Sequence, residues 1–216
     1  LEPIIYVAIY TLEAFCTISA SYMLFRFPFR EFIWKKLVLS VVLAIFSYSL
    51  RDLTIINEFT IIVPLTYLLA YTLFINFVSK IRFLWASVMM TTGYAVVSVI
   101  QMLVVPILGF FGISIEMVQG NLGYLALGQI LTAAIMIPFS FIYYFHGYGF
   151  TYEFPSWRWK HLWLVVLELL LIAILLRFVY INMLLTLIIA AILTLVALLI
   201  LSRSMEKEEI TSELEL

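Results

Sequence analysis

The sequence predicts an all-α fold, a polytopic transmembrane helical bundle, on three observations. Hydrophobic residues make up 65% of the 216 positions and charged ones 12%, about half the charged share of an ordinary soluble domain. Mean hydropathy is +1.15, which excludes a water-soluble monomer. Apolar runs of about 18 residues or more recur along most of the chain, each long enough to cross a hydrocarbon core of about 30 Å as a helix.

Taken in order, the first span runs from about Ile4 to Phe25 and ends at a basic aromatic segment, residues 26–36, where Pro28 helps to break the helix. No basic n-region or small-residue cleavage site precedes it, so it reads as a retained span and not a signal peptide. The second covers about Leu37 to Leu50, borrows Phe32 to Trp34 to approach crossing length, and stops at Arg51 and Asp52. The third runs from about Phe59 to Val78 and the fourth from about Phe83 to Leu108, with a short basic turn between them. The glycine-containing loop Gly109 to Gly120 leads to the fifth, about Leu122 to Phe145, which ends at His146 and Gly147.

Leu162 to Leu201 is almost continuously apolar. As a single helix it would be roughly 60 Å long at about 1.5 Å per residue, twice the hydrocarbon thickness. The chain must therefore turn at residues 177–182, its only clearly polar interruption. This predicts a sixth span from about His161 to Tyr180 and a seventh from about Met183 to Leu201, seven in all. Residues 1–202 form the membrane domain and 203–216 a short acidic cytosolic tail.

The few charges orient the bundle. With the N-terminus outside and the C-terminus inside (N-out/C-in), Arg26, Arg30, Lys35, Lys36, Lys80, Arg82, Arg158, Lys160, Arg203 and Lys207 lie on the inner side, and only Arg51 and Arg177 on the outer. That is the bias expected of cytoplasmic segments. All five tryptophans, Trp34, Trp85, Trp157, Trp159 and Trp163, fall at the same inner face, where an amphipathic indole suits the headgroup boundary. The predicted location is a plasma membrane of bacterial type, crossed several times, with the lipid bilayer as the first partner.

Composition also excludes function classes. Twelve basic against thirteen acidic residues leave a net charge of −1, with no surplus to neutralise phosphates, so no nucleic acid is expected. One cysteine, Cys16, and two histidines, His146 and His161, make neither a disulfide nor a Cys/His metal framework. Cys16 reads as a small buried apolar residue. The chain has no HExxH, G-x-S-x-G, P-loop or aspartate-rich pair, and nothing supplies a nucleophile or an oxyanion donor set. No catalytic residue, metal or cofactor is assigned.

Polar groups within the spans are the candidate site. Glu13 lies in the middle of the first span and Glu168 in the lower middle of the sixth, where a carboxylate is costly and faces the bundle interior. Each therefore needs a partner or a proton, and is expected as a structural or partner contact, Glu168 being equally admissible as a neutral carboxyl. Glu168 and Arg177 are nine residues apart, about 900° of rotation, so they fall on opposite helix faces. Glu13 with Arg177 is the better pair, their depths differing by roughly 9 Å. Gln101 and Gln129 both sit roughly 10 Å below the outer surface, and with Arg177, Tyr124, Tyr10 and Thr60 they are positioned to line an outward-opening pocket for a small molecule or peptide. The competing reading is interhelical hydrogen bonding without a ligand.

Pro64, Pro106 and Pro138 fall within or near the ends of spans three, four and five, and shape packing there. No strict GxxxG motif is present and glycines number only eight, which argues against very close helix crossings. The loop 109–120 is apolar enough to lie in the interface. The aromatic segment 141–163 suits anchoring at an anionic leaflet. Met205, Ile210, Leu214 and Leu216 in the tail offer a face to a protein partner.

A seven-span N-out bundle with short loops and a last span running into a charged cytosolic helix resembles the membrane sensor region of AgrC-type and ComP-type peptide-sensing histidine kinases. The likeness is one of span organisation. It departs after Leu216, where no phosphoacceptor helix or ATP-binding domain follows, so the resemblance implies a truncated sensor or a stand-alone sensor-like subunit that signals through a partner. The function expected is that of a non-enzymatic receptor-like subunit. Two other classes stay open: the substrate-binding subunit of a small-solute transporter, and a membrane assembly or stabilising subunit.

Overall fold

In a computed structural model, residues 2–28, 30–52 and 62–146 are described, together with Trp163, Val166, Leu170, Ala173 and Val196. The described residues form six helices: α1 (Glu2–Leu24), α2 (Ile33–Asp52), α3 (Ile62–Val78), α4 (Phe83–Phe110), α5 (Ile115–Gly120) and α6 (Leu122–Phe145). Among them α1, α4 and α6 are long and apolar enough to cross a membrane. The expected spans six and seven, and the tail, lie outside the described residues.

The helix limits follow local chemistry. Span five is α6 to the residue, because Asn121 caps it, its side chain accepting from the Gly123 N–H at 2.8 Å. The expected loop 109–120 is instead partly helical. α4 runs on to Phe110, and Ser114 then opens α5 by accepting from the Met117 N–H at 3.3 Å. α2 takes in Arg51 and Asp52, which were expected to stop it. α4 and α6 continue through Pro106 and Pro138.

α1 is the hub, packing against α2, α4 and α6, while α3 lies against α4. Its C-terminal half is buried from Cys16 to Phe25, and Cys16 is a free thiol there, as expected. Small and hydroxylic residues line that half. Thr17 and Ser21 donate to the carbonyls of Glu13 and Thr17, at 2.9 and 3.0 Å, which satisfies each hydroxyl within its own helix and lets neighbours approach. The crossing with α4 is close at Gly93, where an added Cβ would lie 2.9 Å from the Ser21 Cα. A tight crossing therefore exists without a GxxxG repeat, because glycine on one helix meets serine on the other.

The core gathers Ile18, Tyr22, Tyr71, Ile75, Trp85 and Met89 at one end of the bundle. Trp85, in the first turn of α4, is 1% exposed and part of this core, whereas Trp34 is 76% exposed. The helices at this end stop in left-handed turns. Arg26 (φ 55°) follows α1, with Arg26 N–H bonded to the Met23 carbonyl and Phe27 N–H to that of Tyr22, a Schellman cap. Lys80 (φ 56°) follows α3, and Phe32 (φ 58°) precedes α2.

Candidate functional site

Three pairs set the registers. α1 and α4 run antiparallel, with Ser21 against Gly93 at one level and Glu13 against Gln101 at another. α6 runs parallel to α1, with Glu13 beside Gln129. Ala20, Val97 and Met136 pack together in the same seam. Glu13 stands 11 positions from each end of α1, about 16 Å by helical rise, so its carboxylate is at the middle of the helix length.

There Glu13, Gln101 and Gln129 close a hydrogen-bonded ring across three helices. Gln101 Nε2 donates to Glu13 Oε1 at 3.0 Å and to Gln129 Oε1 at 3.2 Å. Gln129 Nε2 donates to Glu13 Oε2 at 3.2 Å. All three side chains are half-buried. Both carboxylate oxygens thus accept from amides, the arrangement that suits a carboxylate removed from water, because bonds to a charged acceptor are the stronger kind. Among the described residues Gln101 Oε1 accepts no hydrogen bond. Among the described residues the ring therefore has spare acceptor capacity at Gln101 Oε1, beside the carboxylate.

Three tyrosines of α3 and α4 feel the Glu13 charge. Tyr67, bonded to Ser47 of α2, Tyr71 and Tyr94 are each within electrostatic reach of the Glu13 carboxylate. Tyr6 stacks on Tyr10 (centroids 6.2 Å) and meets Tyr48 (6.0 Å) toward the α1 N-terminus.

Of the residues expected to form a pocket, the structure joins Gln101 and Gln129 and adds Glu13, which the sequence suggested pairing with Arg177. Tyr124 does not join them: it is 37% exposed, five residues before Gln129 on α6. Arg177, Glu168 and Thr60 lie outside the described residues.

A second buried polar group departs from the sequence reading. Lys36, counted with the inner-face cations, is fully buried, its Nζ 3.4 Å from the centroid of the Tyr22 ring. The ring face supplies a desolvated cation–π contact. Tyr22 OH in turn hydrogen-bonds Ser79 at 2.6 Å, and Ser40, one turn from Lys36, bonds Tyr71 OH at 2.9 Å. The signal was present in the spacing Lys36, Ser40, Ser47, one stripe of α2 at helical period. Comparison with family models, curated proteins and solved structures found no match to the chain.

Proposed function

We propose that the chain is a seven-span, N-out/C-in protein of a bacterial-type plasma membrane, a non-enzymatic receptor-like subunit. It binds a small molecule or peptide, or a protein partner, at the Glu13, Gln101 and Gln129 ring and passes the event to another protein. One observation carries this reading: a single carboxylate at the middle of α1 holds α1, α4 and α6 together. Whatever engages Glu13 or displaces an amide shifts three helices at once, the kind of two-state element on which coupling depends.

Orientation is supported by the helix ends. Where α1 meets α2 and α3 meets α4 the chain carries Arg26, Arg30, Lys35, Lys36, Lys80 and Arg82 against Glu31 alone. Among the described residues the charges at the opposite end are Glu2, Asp52 and Glu116 against Arg51. Alkaline phosphatase fused after Lys80 is expected to be inactive and after Gly112 active. The reverse pattern sinks the orientation.

The binding role is tested by native mass spectrometry of the full chain taken from its own membranes. The expected result is a retained mass that Gln101→Ala and Gln129→Ala each lose while the folded fraction in mild detergent is kept. Loss of bound mass only in step with unfolding marks the ring as interhelical glue and refutes the reading.

A further inference from the structure

The left-handed turns after α1 and α3 are 54 residues apart in sequence, Arg26 against Lys80, yet the fold ties them together. Tyr22 OH of α1 and Ser79 Oγ, next to Lys80, are 2.6 Å apart. Asn76 Nδ2 donates to the Ile81 carbonyl at 2.7 Å, which holds the second turn in shape. The two left-handed helix ends thus present exposed basic side chains, Arg26, Arg30 and Lys35 from one connection, Lys80 and Arg82 from the other. Glu31 is the one exposed acid among them.

Two further features narrow the partner. Lys36, a sixth cation, lies buried directly beneath on the Tyr22 ring and adds to the local positive potential. Large apolar side chains flank the cations, with Trp34 76%, Phe77 75% and Phe83 46% exposed. A soluble anion would use the charges and leave those rings in water. An anionic phospholipid uses both, its phosphate on the cations and its glycerol and upper acyl chain on the aromatics.

We propose that Arg26, Arg30 and Lys80 form a headgroup site for an anionic phospholipid. The diester phosphate sits between the two turns, and the site exists only when α1 and α3 are docked. The left-handed backbone makes the test clean, since glycine is the residue that conformation favours. Replacing Arg26 and Lys80 by glycine therefore removes two charges while relieving the backbone.

The full chain in nonionic detergent is offered phosphatidylglycerol or phosphatidylcholine, and bound lipid is read by native mass spectrometry. Wild type is expected to retain phosphatidylglycerol preferentially. Arg26→Gly with Lys80→Gly should weaken that retention at least about tenfold, from a few-fold per basic residue near an anionic surface, with an unfolding midpoint no lower than wild type. Arg30→Gln, at a position under no such backbone demand, should weaken it a few-fold, and Arg51→Gln at the far end of α2 should leave it unchanged. Equal retention of the two lipids, or undiminished retention in the glycine pair, overturns the site. Complete displacement by millimolar inorganic phosphate overturns the lipid assignment in favour of a free-phosphate site.

Discussion

Replacing Gln101 by Leu tests the ring directly. The substitution keeps the bulk at the α1, α4 and α6 seam but removes both hydrogen bonds the Gln101 amide donates, to Glu13 Oε1 at 3.0 Å and to Gln129 Oε1 at 3.2 Å. A bond to a charged acceptor contributes about 1.5–3 kcal/mol, and an interhelical bond between neutral groups in a membrane bundle averages about 0.6 kcal/mol. The expected loss is therefore about 2–3.5 kcal/mol. Gln129→Leu should cost a similar amount, since it removes the bond to Glu13 Oε2 at 3.2 Å and the shared amide contact. The contact between the two glutamines is lost in either single variant, so the double variant should cost less than the sum, by at least about 0.5 kcal/mol. Equilibrium unfolding in mixed micelles measures all four corners of the cycle. Strict additivity, or a Gln101→Leu effect below about 0.5 kcal/mol, would refute the ring as a cooperative unit.

Three other outcomes follow from the packing. Gly93→Ala places a Cβ 2.9 Å from the Ser21 backbone, and despite alanine's better helix propensity of about 1 kcal/mol the crossing must open. A net loss of about 1–2 kcal/mol is expected, and Gly93→Ala with Ser21→Gly should recover part of it in the same unfolding assay. Lys36→Met should be tolerated within about 1 kcal/mol, because an apolar chain of similar length replaces a buried charge, whereas Tyr22→Leu leaves Lys36 without its ring and Ser79 without its bond and should cost more than about 2 kcal/mol. A larger loss from Lys36→Met than from Tyr22→Leu would contradict this. Ser114→Ala removes the cap of the six-residue α5, a loss of about 1 kcal/mol to a local helix. Faster amide exchange confined to residues 115–120 checks it.

Several elements were legible in the chain itself. α6 coincides with the expected span because Asn121 and His146 bracket an unbroken apolar run, and α1 and α4 differ from expectation by two residues or fewer at each end. Glu13, Gln101 and Gln129 each stood out as polar residues in apolar surroundings. Gln101 and Gln129 were expected at one depth, but that Glu13 joins them could not be read, since it stands 88 and 116 positions away along the chain and only the registers of α1 with α4 and α6 align the three. Lys36 shows the same limit from the other side. In the sequence it counted only as one of the basic residues of its connection, and the rotation of α2 turns it inward onto Tyr22.

The sequence by itself determined that the chain folds as apolar helices, where most of them begin and end, and toward which end the positive charge gathers. These depend on local properties: run length against bilayer thickness, caps, and the count of Lys and Arg in each connection. Which face of each helix turns inward was decided by the tertiary structure. In a bilayer, lipid and protein interior are equally apolar, so hydrophobic periodicity carries little of the inside-outside information it holds for a soluble helix. Close contacts such as Gly93 on Ser21, and hydrogen bonds that must be satisfied away from water, make that choice, and they became visible only when the helices were packed together.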